Sequence, residues 1–414
     1  MARTRRNRLR FEALESRDVP ASFLVNTTQD LVNLGGTNVM SLREAIRLSN
    51  GTPFEDNIIS VPESGSYTIT LTVNDGSVSR SDSLVLTVRN VAPTATAAGP
   101  SLAVPGQSVS FTFTASDVSP GDRAAPFQYA IAWGDGQTET VSGPASGITL
   151  SHVYESIGNR TIGVTATDRD GGTSAPATRN IAVQTANLQG GTLFVGGTSN
   201  GDSIDIRPAN ASGGLIVTVN GASAGTFTPT ADIVVYAQAG ADSVAISTAK
   251  INRSVVSVSR PVFLFGGVGN DSLSATGSTA GTVIVGGEGN DSLTGGTGRD
   301  ILIGGAGGDT VRGGDGEDIL IGGFTDFDGD LAALRAIRAE WVRTDATQST
   351  RVNRLRGAGG GLNLGFFLVP GTVDDDGVRD NLYGEGGTDW FFARKVTVVD
   401  NLPDDKNGEV FTWI

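Results

Sequence analysis

Between Tyr67 and Val88 apolar and polar residues alternate. Tyr67, Ile69, Leu71 and Val73 form one run, and Leu84, Leu86 and Val88 another. Such alternation marks a strand with one buried face, and Asn74, Asp75 and Gly76 supply turn chemistry between the runs. The pattern predicts a hairpin. Alternation returns in "SVSFTFTASD" (108–117), "FQYAIAWGDG" (127–136), "GITLSHVYES" (147–156) and "NRTIGVTATDRDGG" (159–172). Strands at this spacing, divided by Gly and Asp turns, predict an immunoglobulin-like sandwich over 93–184. From Gly190 the strands shorten ("TLFVGG", "SIDIRP", "LIVTVNG", "DIVVYA") and turns come densely, which predicts a solenoid. Helical spacing is confined to a few stretches. "MSLREAIRLSN" (40–50) has Ser41 and Glu44 at capping distance, and Leu331, Leu334, Ile337, Arg338 and Trp341 share a face. A second short helix is expected over 347–356. The chain should be mostly β.

The strongest pattern has a period of nine. Residues 286–294, 295–303, 304–312 and 313–321 each fit Gly-Gly-x-Gly-x-Asp-x-apolar-x. The Asp positions are 291, 300, 309 and 318, and the apolar ones are Leu293, Leu302, Val311 and Leu320. Nine matches neither a helix nor a plain strand. It suits six residues of turn and three of strand, so that two nonads complete one coil. Turns on the same edge then stack about 4.8 Å apart. An earlier nonad covers 266–274, and residues 275–285 form a longer turn and strand without the Asp. By this parity Asp271, Asp291 and Asp309 should stack along one edge, and Asp300 and Asp318 along the other. "GGTSNGDSIDI" (196–206) and "QAGADSVAI" (238–246) read as eroded copies. Asp380 and Asp389, nine apart near the C-terminus, mark two degenerate copies.

Stacked carboxylates repel by roughly 3 kcal/mol per pair at 5 Å and an effective dielectric of 20. A bound cation reverses that sign. Carboxylates together with backbone carbonyls exposed by glycine make an all-oxygen donor set, which selects calcium. The candidate metal residues are therefore Asp271, Asp291, Asp300, Asp309, Asp318, Asp380 and Asp389, with the turn glycines Gly286, Gly295, Gly304 and Gly313. Asp326, Asp328 and Asp330 lack the glycine and distal Glu of an EF-hand loop, so helix capping is the expected role. Net charge is −14, which argues against a nucleic-acid partner. There is no cysteine, so neither a disulfide nor a thiolate site is available. No apolar run reaches membrane-spanning length.

Several stretches carry resemblances. The nonads resemble the haemolysin-type (RTX) calcium-binding repeat, which implies a parallel β-roll that holds Ca2+. "WGDG" (133–136) and "HVYESIGNRTIGVTATDRDGG" (152–172) resemble the PKD domain family, which implies core positions for Trp133 and Tyr154. His152, the only histidine, then falls at a packed position of that sandwich. The hairpin of 66–92 looks like the end of a second, partial PKD unit. "MSLREA" resembles the CSLREA element that opens β-helical regions of bacterial surface proteins. The basic N-terminus, with six Arg by position 17, runs into "LRFEALESRDVP". That stretch resembles the export signature of planctomycete extracellular proteins, and implies a cell-surface or extracellular destination.

The organisation expected is an export-like segment (1–22), a cap segment (23–65), a partial hairpin (66–92), a PKD-like sandwich (93–184), a β-solenoid with RTX repeats (190–323), and a helical lid with degenerate repeats (324–414). "GTSNG" (197–201) and "GASAG" (221–225) match the nucleophile-elbow pattern. Both lie between strands, and the one His lies in another domain, so neither reads as catalytic. The expectation is a non-catalytic, calcium-binding structural or adhesive protein of the cell exterior. Its partners would be matrix polysaccharide or other surface proteins. The alternative is a secreted carbohydrate-active hydrolase or carbohydrate-binding protein carrying the same repeats.

Overall fold

The computed structural model describes residues 23–24, 59–60, 65–74, 79–394, 400–402 and 409–414. The export-like segment and the helix expected over 40–50 lie outside the described residues. The predicted hairpin is present as Gly65–Asn74 against Ser79–Val88, antiparallel, with Asn74 opposite Ser79.

Two sheets form the sandwich. One orders Ile148–Val153, Ser108–Ser116 and Thr94–Ala98. The other orders Leu102–Ala103, Ala177–Val183, Gly158–Thr167, Phe127–Ala132 and Thr138–Gly143. Alternation along Ser108–Ser116 turns Val109, Phe111, Phe113 and Ala115 inward. Phe127, Tyr129, Ile131, Trp133 and Tyr154 are buried core residues too, and the Trp133 ring meets Phe113 edge-on. His152 is buried with its ring edge-on to Tyr154, 4.7 Å between centroids. A short helix, α1 (Pro120–Ala124), is capped by Ser119.

Beyond Ala186 the chain coils between two facing sheets. A sheet of nine runs from Ala186–Gln189 through Ile233–Ala239, Val262–Val268, Thr282–Glu288, Ile301–Ala306 and Ile319–Ile321 to Val410–Trp413. A sheet of eight includes Ser203–Pro208, Ser243–Ile246, Ser272–Ser274, Ser292–Thr294, Thr310–Asp315 and Asn381–Gly386. These six strands pair in parallel and in register, while Leu215–Val219 and Ala222–Phe227 add an antiparallel edge beyond Ser203–Pro208. Between the sheets lies a thin core. Leu264, Ile284, Leu302, Leu320 and Phe391 face Val244, Leu273, Leu293, Val311 and Leu382.

The two sheets differ on their outer faces. Strands of the sheet of eight read polar-apolar-polar, as in Ser292-Leu293-Thr294. Strands of the sheet of nine read apolar throughout, as in Ile301-Leu302-Ile303. A strand buried on both faces needs that continuous apolar run. The cover comes from α2 (Leu331–Trp341) and α3 (Gln348–Asn353). Leu334, Ile337, Trp341, Val352 and Leu355 pack on Val283, Ile301, Ile303, Ile319, Trp390 and Phe392. Asp330 caps α2 by accepting from the backbone N–H of Ala332 and Ala333, and Asp328 accepts from Thr325. The helix expected over 347–356 is α only to Asn353. It then continues as a single π turn, with Gly357 at φ 99°.

The helices are an excursion within the coil. The sheet of eight resumes at Asn381 directly on Thr310, and the sheet of nine resumes at Trp390 directly on Ile319. Where the sequence pointed to a separate lid segment starting at 324, the sheets run through. Trp341 anchors the excursion. It is fully buried, 6.1 Å from the Trp390 ring and 5.0 Å from the Arg351 guanidinium, and its Nε1 donates to the Glu317 carbonyl at 2.9 Å. Trp341→Ala should cost about 3–5 kcal/mol, as truncation of a buried Trp does. Thermal unfolding of the calcium-loaded protein measures it. A loss below about 1 kcal/mol would mean that the outer face closes without this anchor.

Candidate metal centre

Each turn from the sheet of nine to the sheet of eight ends on an Asp. These Asp residues form one column: Asp202, Asp242, Asp271, Asp291, Asp309, Asp380 and Asp400. Each carboxylate after Asp202 hydrogen-bonds to the rung before it. Oδ1 of Asp242, Asp271, Asp291, Asp309, Asp380 and Asp400 accepts the backbone N–H of the preceding Asp at 2.6 to 3.1 Å. A second column runs along the opposite edge. Oδ1 of Asp300 accepts from Thr282 N, that of Asp318 from Asp300 N, that of Asp389 from Asp318 N, and the Glu409 carboxylate from Asp389 N. The structure thus brings together Asp271, Asp291, Asp309 and Asp380 on one edge, and Asp300, Asp318 and Asp389 on the other.

The other carboxylate oxygen carries the chemistry. Oδ2 of Asp242, Asp271, Asp291, Asp309, Asp380 and Asp318 is buried and has no hydrogen-bond partner. At the two ends of the longer column the protein satisfies the acid itself. Asp202 Oδ2 accepts from Thr198 N and Oγ1 and its Oδ1 also from Asn220 Nδ2, while Asp400 Oδ2 accepts from Arg394 N. Asp300 Oδ2 accepts from Gly296 N. A buried polar atom without a partner is costly, and six of them in two columns are not accidental.

The first glycine of each nonad explains the close fit. A Cβ on Gly286 would lie 2.3 Å from Asp291 Oδ2 and 2.3 Å from the Gly304 carbonyl. The same pairs surround Gly304 (Asp309 Oδ2, Gly322 O), Gly313 (Asp318 Oδ2, Gly384 O) and Gly295 (Asp300 Oδ2, Gly313 O). Each carboxylate oxygen therefore sits beside the glycine carbonyl of the next rung. Gly286, Gly304 and Gly313 take part both ways, because their own carbonyls face Gly266, Gly286 and Gly295. Among the described residues no glycine faces the Gly295 carbonyl in this way, the preceding rung on that edge carrying the longer turn 275–281. The second glycine needs a backbone that only glycine adopts freely: Gly287 has φ 114°, and a Cβ there would lie 2.0 Å from the Gly267 carbonyl.

One nonad is split. A Cβ on Gly322 would meet Asp380 Oδ2 at 2.3 Å, the contact that Gly286 makes with Asp291. The glycine comes before the helical excursion and the aspartate after it. The residues in front of Asp380 in sequence are therefore not its turn partners. Asp242, Asp400 and Glu409 were not singled out from the sequence. Asp242 lies in the eroded copy "QAGAD", where that signal was available.

Burial, reinforced by neighbouring carboxylates, pushes these acids above their ordinary range. Asp291 rises to about 6, Asp242 and Asp380 to about 7, and Asp309 to about 8, although the backbone N–H on Oδ1 opposes the rise in each case. Burial also raises Asp271, takes Asp300 to about 6, and raises Asp318, which Asp300 and Asp389 reinforce. Carboxylates and carbonyls in this donor set fit a hard cation such as calcium.

The comparisons with known proteins agree. A family model described as the RTX calcium-binding nonapeptide repeat (4 copies) matches residues 276–311 and 294–326. One described as the PKD domain matches residues 90–183. The chain carries a PKD domain and RTX calcium-binding repeats. Among solved structures, the chain is similar to the PKD domain of an M14-like peptidase from Thermoplasmatales archaeon SCGC AB-540-F20. That pair is 24% identical, covering 23% of this chain and 97% of the other, with a TM-score of 0.21. No curated protein matches. Among the described residues no helix is long and apolar enough to cross a membrane.

Proposed function

We propose that this is a calcium-dependent structural or adhesive protein of the cell exterior, without catalysis, whose RTX roll folds as it binds calcium. The observation that carries the reading is the set of six buried Oδ2 atoms, of Asp242, Asp271, Asp291, Asp309, Asp318 and Asp380, without hydrogen-bond partners. Asp271, Asp291, Asp309 and Asp380 on one edge, and Asp300, Asp318 and Asp389 on the other, would hold the ions with the turn carbonyls of Gly286, Gly304 and Gly313. Asp242 joins the first group. Calcium, when bound, supplies the positive charge that these stacked carboxylates lack. Cytosolic free calcium is low and external calcium high, so the roll would stay loose before export and set afterwards. The export-like N-terminus and its resemblance to planctomycete surface proteins support the destination. The sandwich and the hairpin before it serve as spacer and contact surface, toward matrix polysaccharide or other surface proteins.

Surface labelling of intact cells expressing the full chain tests the destination. A membrane-impermeant reagent should label it, and washing with chelator should release it or expose it to protease. Purified calcium-loaded protein should show no turnover on polysaccharide or peptide panels. Protein confined to the cytosol, or reproducible turnover lost with Asp291→Ala, would sink this reading.

A further inference from the structure

A second acidic centre lies in the sandwich, in no repeat. Asp117, Asp122 and Asp168 each present a carboxylate oxygen, and the three oxygens lie within 4.8 Å of one another. They arrive from separate places: Asp117 just after the strand Ser108–Ser116, Asp122 in α1, and Asp168 just after Gly158–Thr167. All three are buried, with 8%, 3% and 6% of their surface exposed.

Local hydrogen bonding accounts for only part of this cluster. Asp168 accepts from Asn90 Nδ2 at 3.0 and 2.8 Å, from Asp170 N at 2.9 Å and from Gly172 N at 2.8 Å. Asp117 Oδ1 accepts from Ser119 N at 2.8 Å. Those bonds explain the loop shapes. They leave Asp117 Oδ2 buried with no partner, and Asp122 Oδ1 buried with no hydrogen bond, its ion-pair partner being Arg169 Nε at 3.2 Å. A loop that needed Asp117 only to hold its turn would not aim a second, bare oxygen at two more carboxylates. The donor set is all oxygen and strongly anionic, which is the chemistry of a calcium site. The Asn90 carboxamide lies beside it. Turned over, it offers a further oxygen, since its O and N are assigned from the hydrogen bonds around them.

We propose that Asp117, Asp122 and Asp168 form a calcium site of the sandwich, independent of the roll. Bound calcium ties the segment entering the domain at Asn90 to the two loops that carry the acids. The module placed ahead of the roll would then stiffen in the same external calcium.

Hydrogen exchange of the full chain, read by mass spectrometry in calcium and in chelator, tests this. Peptides covering 117–124 and 168–172 should exchange more slowly in calcium, by up to about a hundredfold at a concentration of 100 times Kd. Asp117→Asn keeps an oxygen for Ser119 N–H and places an amide donor among the acids. It should be protected in chelator already, and calcium should add nothing at these peptides. Peptides from 266–323 should still respond in that variant, which separates this site from the roll. If Asp117→Asn folds poorly, Asp122→Asn serves the same comparison. Equal exchange of the sandwich peptides with and without calcium in the wild type would overturn the proposal, whatever the roll does. So would an undiminished calcium response in both variants, or equal protection by magnesium.

Discussion

In chelator at pH 8 the roll should lose its β structure, and calcium should restore it in one cooperative step that magnesium does not reproduce. Six carboxylate oxygens of the roll are buried without a hydrogen-bond partner. Each such group costs about 1–3 kcal/mol or more when charged, so together they reach roughly 6–18 kcal/mol. A domain is stable by only about 5–15 kcal/mol, and one thin apolar layer between the sheets adds little to spare. Metal binding and folding are then one equilibrium. Far-UV circular dichroism of the full chain during a calcium titration measures it, with the sandwich as a constant background. Asp291→Ala with Asp309→Ala should raise the calcium needed for the transition by at least about tenfold, since two adjacent rungs lose their acids together. Identical spectra in chelator and in calcium at pH 8 would show a metal-free solenoid. The central reading of the repeats would then fail.

Much of this was legible because the repeat obeys simple geometry. A nonad fixes which residue turns inward, and Leu293, Leu302, Val311 and Leu320 are all fully buried. Parity fixes which Asp residues share an edge. What escaped was information carried by space and not by spacing. The turn that joins Gly322 to Asp380 is interrupted by the helical excursion, so no sequence window contains it. The cover on the sheet of nine was written in plain view: Val283-Ile284-Val285, Ile301-Ile303 and Ile319-Ile321 are apolar where the other strands read Ser, Thr or Arg. The apolar residues on either side of the inward position declare a second buried face. Asp202 and Asp400 show why an aspartate at the right place is not sufficient, since their oxygens are taken by Thr198, Asn220 and Arg394. The sandwich cluster has no motif at all. Asp117 and Asp168 meet only because the domain folds.

Acid should do without calcium part of what calcium does at neutral pH. In the folded, metal-free roll, burial holds Asp291 and Asp300 at about 6, Asp242 and Asp380 at about 7, and Asp309 at about 8. In the unfolded chain these acids return to their ordinary value near 3.9. A folded-state value above the unfolded one means that the folded form binds the proton more tightly. The stabilisation is complete below about pH 4 and is lost as pH rises through 6 to 8. For Asp309 alone the displacement corresponds to on the order of 5 kcal/mol of preference for the neutral acid. In chelator, β signal should therefore grow as pH falls from 8 to 5. With calcium present the slope reverses, because the ion needs the carboxylates deprotonated and protons compete for them. The apparent calcium affinity should weaken steadily over the same interval. Two pH titrations of circular dichroism, one in chelator and one in calcium, put both slopes on one axis. A chelated roll that unfolds further on acidification from pH 8 to 5 would mean that the columns do not bury their acids as described. Opposite slopes would tie the stacked aspartates, and not the sandwich or the helices, to the calcium dependence of the fold.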